Sequence, residues 1–126
     1  MKKLIIDIDN TISFTEKGDY RNSKPNLSLI KKISEYKKKG FYIVLNTSRN
    51  MRTFENNIGK INIHTLPLII DWLNKYKIEY DELFVGKPWC GNEGFYIDDK
   101  AIRPSEFVKY NYEEIKRILD DEKPLM

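Results

Sequence analysis

Two carboxylates separated by a single residue follow a short apolar run near the start of the chain. Asp7 and Asp9 come directly after residues 4–6, a β-rich segment typical of a buried parallel strand. At a strand end, side chains two residues apart project to the same side, so both carboxylates can meet one metal ion or one phosphoryl group. Because the two charges repel each other, the pair needs a cation, and Mg²⁺ suits oxygen ligands of this kind.

Further groups of suitable chemistry follow later in the chain. Thr47 and Lys87 each come after a predicted strand. With Lys87 and a metal neutralising the phosphate charge, Asp7 can attack phosphorus in line and form an aspartyl-phosphate. Asp9 can protonate the departing alcohol and then accept a proton from the water that hydrolyses the intermediate. Thr47 and nearby backbone N–H groups would bind the phosphate oxygens.

A second pair of carboxylates ends another apolar run. Residues 95–97 repeat the pattern of the first strand and lead into Asp98 and Asp99, so we predict a strand there as well. In this interpretation Asp7, the backbone carbonyl of Asp9 and Asp98 hold a Mg²⁺ ion. Asp99 would bind a water of that ion or support its ligands from behind.

The elements that must position these groups alternate between strand and helix. After a flap over residues 12–22 that looks like a loop or small hairpin, the pattern predicts, in order, a helix from near Pro25 to before Gly40, a strand over 41–46, a helix over 65–73, strands over 83–85 and 95–97, and a helix over 105–119 before a tail at 120–126. Such alternation predicts an open, mainly parallel sheet covered on both faces, with ligands binding beyond the carboxyl ends of its strands. The polar groups named above all fall at that edge.

Length and composition predict one compact domain over residues 1–126. Hydrophobic residues make up 40% and charged residues 33% of the chain, a balance that favours a folded core over disorder. The net charge is only +3 with both signs mixed, which is weak evidence for binding nucleic acid. The lysines of the first helix are more simply a solvated face, although they can also attract an anionic substrate.

Cellular location and the remaining reactive side chains are also constrained. Cys90 is the single cysteine, which excludes an internal disulfide, and the chain shows neither a signal-peptide pattern nor an apolar run long enough to cross a bilayer. We therefore expect a cytoplasmic protein that is not embedded in a membrane. We assign no role to His64, because one histidine makes no metal cluster, or to Cys90, because it lacks a partner for nucleophilic activation.

Each cluster also has a plainer interpretation. Asp and Asn are favoured in turns for local hydrogen bonding, so the clusters at Asp7 and Asp98 can be solvated turns. Thr47 and Ser48 can form an ordinary turn, and Lys87 can be any surface lysine. A site is favoured by the order of carboxylates, hydroxyl, lysine and carboxylates, each directly after a predicted strand.

This ordered set resembles the four motifs of the haloacid dehalogenase-like hydrolases, over residues 3–107. It comprises Asp7-Ile8-Asp9-Asn10-Thr11, Thr47, Lys87 and Asp98-Asp99. The resemblance implies a nucleophile at Asp7 and an acid/base at Asp9, with phosphate contacts from Thr47 and Lys87. It also implies Mg²⁺ ligation by Asp7, Asp9 and Asp98. An aspartate two residues after the nucleophile is what the phosphatases of the family have, which favours phosphate chemistry over dehalogenation.

Residues 47–50, 86–89 and 96–104 further resemble the small bacterial capsule-biosynthesis phosphatases of that superfamily. The implied fold is a Rossmann-like three-layer α/β sandwich with a mainly parallel sheet. No large cap domain is expected, because the intervals after the first two motifs are too short. The implied substrate is a small capsular-polysaccharide precursor, either a sugar phosphate or a phosphoester linked to a nucleotide sugar.

An open site leaves recognition of the leaving group to loop residues. Our candidates for substrate contacts are the flap over 13–21 together with Asn10, Thr11, Ser48, Arg49, Arg52, Trp89 and Arg103. Arginine forks suit phosphate or carboxylate groups, and a tryptophan can stack on a sugar or a base. Packing within their own loops is the plainer alternative, and a neighbouring subunit of a homo-oligomer can also complete the pocket.

Two other functions stay open on the sequence. A phosphorylation-dependent signalling receiver is also a small α/β domain with an acidic cluster, but its lysine comes late, whereas Lys87 precedes a terminal carboxylate pair. A catalytically idle binding module would retain the fold without turnover. Acetyl phosphate separates the first rival, because a receiver forms a long-lived phosphoprotein. Ligand binding without Mg²⁺-dependent phosphate release would support the second.

Overall fold

The computed structural model describes residues 1–125; Met126, the end of the predicted tail, lies outside the described residues. Its strands are β1 (Lys3–Asp7), β2 (Ser13–Phe14), β3 (Lys24–Pro25), β4 (Tyr42–Asn46) and β5 (Glu82–Phe84). Its helices are α1 (Leu27–Lys38), α2 (Ile58–His64), α3 (Leu66–Lys75), α4 (Pro104–Lys109) and α5 (Tyr112–Asp120), with a 3₁₀ turn at Tyr20–Asn22. The chain divides into two compact units, which we call the N-terminal unit (Met1–Trp89) and the C-terminal unit (from Cys90 onward).

A parallel sheet in the order β1-β4-β5 organises the N-terminal unit. Asp7 is paired with Asn46, and Asn46 with Phe84, so the carboxyl ends of the three strands meet at one edge. Ile43 and Leu45 of the central strand are fully buried and form part of the core. The predicted α/β class with a mainly parallel sheet is confirmed, and the described residues contain no large cap domain.

Helix α1 begins two residues later than the sequence pattern predicts. Pro25 pairs with Ser13 in the β2–β3 hairpin, so it cannot open the helix. Asn26 opens it instead, because its side chain accepts a hydrogen bond from the N–H of Leu29. Leu29 and Ile33 are buried on one face, as the helical spacing of the apolar residues predicts.

Helix α2 is an element that the sequence pattern does not predict. Asn57 opens it by accepting a hydrogen bond from the N–H of Lys60. Thr65, the first residue of the predicted helix over 65–73, makes no capping hydrogen bond to α3, and its hydroxyl donates to Asn50 Oδ1 at 2.7 Å. Trp72 of α3 is buried and belongs to the core.

The predicted flap is a hairpin that continues beyond residue 22 to Pro25. β2 and β3 pair antiparallel, and the 3₁₀ turn lies between them. Ile12 and Ser13 at the base of the hairpin are fully buried, whereas Gly18 and Asp19 at its far end are exposed. The base therefore belongs to the core, and only the tip projects from it.

The predicted strand over residues 95–97 is wrong for the single chain. This segment of the C-terminal unit has a strand-like sequence but forms no strand, and Phe95 is 76% and Ile97 89% exposed. The short apolar run is typical of a buried strand, but a strand also needs a neighbour to pair with, which a local pattern does not provide.

The predicted helix over 105–119 is two helices, α4 and α5, separated at Tyr110 and Asn111. The Asn111 side chain accepts from the N–H of Glu114, and the Glu114 carboxylate accepts from the N–H of Asn111, at 2.9 and 3.0 Å. This reciprocal capping box begins a new helix where the pattern alone suggests a continuous one. Within residues 1–125, no helix is both long enough and apolar enough to span a bilayer.

Candidate active site

Asp7 stands at the carboxyl end of β1, where two side chains hold its oxygens. Lys87 Nζ lies 3.3 Å from Asp7 Oδ1, and the Thr11 hydroxyl donates to Oδ2 at 3.2 Å. The Asp7 side chain keeps 30% of its surface exposed. Both contacts are long, so the carboxylate is oriented but still accessible, which is the condition that a nucleophile needs.

The environment of Asp7 raises the pKa of its carboxyl above the ordinary value of 3.8. Burial is the largest cause, because it disfavours the charged form. The charge of Lys87 and its hydrogen bond oppose this effect and lower the pKa, as does the Thr11 hydroxyl, while the charge of Asp9 raises it. Lys87 therefore keeps Asp7 closer to the ionised form than burial alone would allow.

A tight turn after β1 positions the next carboxylate. The N–H groups of Thr11, Ile12 and Ser13 all donate to the carbonyl of Ile8, which is fully buried. Asn10 has a φ of 60°, a left-handed conformation that asparagine tolerates better than most residues. The chain is thereby folded back on itself directly after the strand.

Asp9 is held by three hydrogen bonds from the loop that follows β4. The Thr47 hydroxyl donates to Asp9 Oδ2 at 2.7 Å. Arg49 donates to Asp9 Oδ1 through Nε at 3.1 Å and through Nη2 at 2.7 Å. This carboxylate is fixed in orientation, in contrast to the loosely held Asp7.

The position of Arg49 differs from the expectation of an exposed fork for the leaving group. Its side chain is only 4% exposed, and its Nε–Nη2 edge is bound to Asp9. The reason is that Thr47 and Arg49 point inward from the same loop, and a buried guanidinium needs a carboxylate partner. The predicted phosphate contact of Thr47 stays a prediction, since its hydroxyl here donates to Asp9.

Tyr20 extends this network into the flap. The guanidinium carbon of Arg49 lies 4.2 Å from the centre of the Tyr20 ring, within the range of a cation–π contact. Burial raises the pKa of the Tyr20 phenol above its ordinary value of 10.0, with a smaller contribution from Asp9. Sequence reasoning placed this residue in the flap range but did not single it out, because nothing local links it to the loop after β4.

Lys87 is positioned by the loop that follows β5. The N–H of Thr47 donates to the carbonyl of Phe84, and the N–H of Lys87 donates to the carbonyl of Thr47, which joins the two loops. Gly86 has a φ of +84°, and a Cβ there would stand 2.5 Å from Ile58 Cδ1 of α2. The backbone conformation therefore favours glycine, whereas the close contact with the end of the Ile58 side chain can be relieved by a shift of that side chain.

The other predicted substrate contacts in the N-terminal unit are near the cluster of Asp7, Asp9, Thr47 and Lys87 in sequence. Asn10 and Arg52 are exposed, Ser48 is half-buried, and Trp89 is 41% exposed. Thr11 alone of this group bonds to a catalytic candidate, through Asp7. Their roles in binding substrate stay predictions.

The predicted residues of the C-terminal unit are exposed. The N–H of Lys100 donates to Asp98 Oδ1 at 2.9 Å, and Asp99 is likewise on the surface. The backbone N–H of Arg103 donates to Glu106 at the start of α4. Within the part of the chain that the structure describes, no three His, Cys, Asp or Glu side chains are grouped as a ready metal site.

The donor chemistry at the end of β1 nevertheless fits Mg²⁺. The charges of Asp7 and Asp9 are balanced by Lys87 and Arg49, which lie against them. A phosphate dianion entering this cluster would add negative charge that these four groups do not neutralise. A divalent cation with carboxylate and carbonyl oxygen ligands would supply the missing charge.

Comparisons with known proteins show what the sequence and the fold of this chain are similar to. The sequence signature described as haloacid dehalogenase-like hydrolase matches residues 4–123. A crystal structure of a protein from Vibrio cholerae is 57% identical, with a TM-score of 0.95 over 98% of this chain and 100% of that one. A chain of the Pnkp1/Rnl/Hen1 complex is 22% identical with a TM-score of 0.50, over 86% of this chain and 34% of that one, which shows likeness of fold alone. A search of curated proteins found no significant match.

Proposed function

Since the chain belongs to the haloacid dehalogenase-like hydrolases, we propose that it is a Mg²⁺-dependent phosphatase acting on a phosphomonoester through an aspartyl-phosphate. The observation that carries this proposal is that two neighbouring carboxylates have different hydrogen-bond and ion-pair partners. Asp7 is loosely held by Lys87, and Asp9 is firmly held by Arg49 and Thr47. Two carboxylates in different environments are suited to two different roles.

Asp7 is the nucleophile in this proposal. One of its carboxylate oxygens attacks phosphorus as the bond to the alkoxide leaving group breaks, which leaves an acyl-phosphate on the side chain. Lys87, 3.3 Å from Asp7, lies where its charge can also stabilise the phosphoryl oxygens. Lys87 thus serves both the ionisation of the nucleophile and the charge of the transferred group.

Asp9 is the acid/base. It delivers a proton to the departing alkoxide and then takes one from the water that attacks the acyl-phosphate, which returns Asp7 to its carboxylate form and releases inorganic phosphate. Its three hydrogen bonds from Thr47 and Arg49 fix the direction in which that proton moves. Orientation of this kind lowers the barrier by removing the need to position the group during reaction.

A bound Mg²⁺ ion would neutralise the phosphoryl oxygens and align the phosphate with Asp7. We propose that Asp7 and the backbone carbonyl of Asp9 hold it. These are oxygen donors of the kind that Mg²⁺ prefers.

The proposed substrate is a small carbohydrate-linked phosphoester of the kind found in capsular-polysaccharide precursors, in a cytoplasmic setting. This rests on the resemblance of residues 47–50, 86–89 and 96–104 to capsule-biosynthesis phosphatases. The exposed positions of Arg52 and Trp89 support it, because a guanidinium and an indole suit an anionic sugar derivative.

The test is a phosphate-release screen across sugar phosphates and phosphorylated nucleotide sugars, with and without a chelator. We expect turnover that needs Mg²⁺ and a preference among the substrates. Asp7→Asn should reduce turnover by at least about 10³-fold, because a carboxamide is not a competent nucleophile. Asp71→Asn, an exposed carboxylate on α3, is the matched control and should retain activity. Substantial turnover by Asp7→Asn would contradict the assigned nucleophile.

A further inference from the structure

The outer edge of β1 has no strand beside it among the described residues. β1 is the first strand of the sheet order β1-β4-β5, and β4 is its single partner there. The backbone groups of an edge strand are ready to pair with an added strand, so natural proteins usually cover, shorten or charge such edges. This edge ends at Asp7, so a strand added to it would end beside the proposed nucleophile.

One face of the same sheet also carries exposed apolar side chains. A groove of about 260 Å³ lies over it, lined by Lys3, Ile5, Val44, Asn46, Glu82 and Phe84. Ile5 is 65% and Phe84 53% exposed. Parallel sheets are usually covered on both faces, because their strands are apolar on both sides. Among residues 1–125, the N-terminal unit therefore has an edge strand with one strand neighbour and exposed apolar side chains on one face of its sheet.

The C-terminal unit carries the complementary feature. Residues 95–97 are apolar and β-forming, yet Phe95 is 76% and Ile97 89% exposed in the single chain. Such a run exposed to water marks a surface that pairs with something else. The segment leads directly into Asp98 and Asp99, which are also exposed.

We propose that residues 95–98 of a second copy of this chain add as a parallel strand to the free edge of β1. In a parallel pair the two carboxyl ends lie at the same edge of the sheet, so Asp98 of the partner subunit would arrive beside Asp7. The proposal rests on the proposed function, and it deepens it: each active site is built from two subunits. An unrelated strand could close the edge but would bring no such carboxylate.

A second copy fits because both halves of the contact belong to one chain. Each copy has an edge strand with one neighbour and a β-forming segment whose Phe95 and Ile97 are exposed, so a two-fold exchange pairs both and closes without leaving an open end. The helices that follow the segment, α4 and α5, have their own capping contacts and buried residues, so the segment sits on a folded unit. Such a unit can be presented to a neighbour without refolding.

The first experiment measures mass and needs no enzymatic activity. Sedimentation velocity is run at about 10–100 µM protein, well above a dissociation constant on the order of 1 µM. It should show wild-type protein as a dimer of the 15.0 kDa chain. Ile97→Asp should give a monomer, because a charge cannot pack against the sheet. Leu27→Asp, at the exposed apolar first residue of α1, is the matched control and should stay dimeric. A wild-type monomer, or a dimer unaffected by Ile97→Asp, overturns the proposal.

The second experiment asks which copy supplies the carboxylate. Asp7→Asn and Asp98→Asn chains carrying different tags are coexpressed, after each has been shown to be inactive alone. If sites are shared, half of the dimers are mixed and one of their two sites has both native carboxylates. About a quarter of wild-type activity should then return, by the statistics of a closed two-fold dimer.

The outcomes separate the two proposals. No recovery in purified mixed dimers means that each chain supplies its own Asp98, which overturns the shared site while leaving the phosphatase intact. If wild-type protein is a dimer sensitive to Ile97→Asp but releases no phosphate from any substrate, the proposed function fails and the strand exchange stands.

Discussion

Replacing Arg49 by methionine removes the contact that fixes Asp9 while keeping a side chain of similar length. The guanidinium makes two hydrogen bonds to Asp9 Oδ1 and a cation–π contact with the Tyr20 ring. Arg49 is 4% and Asp9 25% exposed, so the pair is largely removed from water. Removing one partner leaves the other charge poorly solvated, which is the main reason why such variants are destabilised.

The expected loss of stability follows from these contacts. Breaking a buried ion pair by removing one partner costs about 3–5 kcal/mol. Because water can reach the exposed quarter of Asp9, we expect the lower end, about 3 kcal/mol. Arg49→Lys should cost about 1–2 kcal/mol, because lysine keeps the charge but loses the two-pronged contact and the contact of the guanidinium with the Tyr20 ring.

Activity should fall with stability, but for a separate reason. Thr47 still holds one oxygen of Asp9 in Arg49→Met, so the carboxylate stays near its place but can rotate. A displacement of about 1 Å costs on the order of 10²-fold in rate. We expect kcat to fall by about that factor with KM little changed, because proton transfer to the leaving group occurs in the transition state.

The assays are urea unfolding for stability and steady-state kinetics at a temperature where the variant is fully folded. Arg52→Met, an exposed arginine of the same loop, is the control for stability and should change it by no more than about 0.5 kcal/mol. If Arg49→Met is as stable as Arg52→Met and keeps its kcat, the Asp9 contact has no part in stability or in catalysis.

Three further predictions concern Asp7 and its neighbours. Burial raises the pKa of the Asp7 carboxyl in the folded state, so the folded protein loses stability as the pH rises from 3.8 through that folded-state pKa. Asp7→Asn removes this carboxyl and should therefore have a higher Tm than wild type at pH 7, with a smaller difference at pH 4. An equal or lower Tm of the variant at pH 7 would contradict this reasoning. Lys87→Met removes a charge that lowers the pKa of Asp7, so the acidic limb of the pH profile of kcat/KM should move to higher pH, and the rate should also fall. If the acidic limb does not move, Lys87 is not the group that keeps Asp7 ionised. Gly86→Ala should lower the free energy of unfolding by about 1–3 kcal/mol, because the φ of residue 86 is positive and the new Cβ lies 2.5 Å from Ile58 Cδ1. Urea unfolding of the double variant with Ile58→Ala should recover only the part of this loss that is due to the steric clash.

Much of the site in the N-terminal unit was predictable from local sequence. The apolar run before Asp7 predicts a strand that ends there, and parallel strands bring their carboxyl ends to one edge. The meeting of Asp7 with Lys87, 80 positions later, follows from that rule and is observed at 3.3 Å. Local sequence therefore predicts well which side chains lie at the carboxyl end of a strand.

Partners that depend on the depth of a side chain were not predictable in the same way. Arg49 reads in sequence as a surface residue next to a turn, but it is buried against Asp9 and covered by Tyr20. No spacing rule links three residues on the β1 turn, the flap and the loop after β4. Their contact is a product of packing, which local patterns do not record.

Residues 95–97 show a different limit, in which the local pattern is informative and the single chain does not satisfy it. The apolar run and the carboxylates that follow resemble those of β1, and they predict a strand that the chain by itself does not form. Pairing is a property of two strands, so a pattern can specify a strand whose partner lies on another molecule. The free edge of β1 and the exposed Phe95 and Ile97 are then two halves of one contact. Exposure to water in one copy and a β-forming pattern in the sequence are consistent if the strand forms only on assembly.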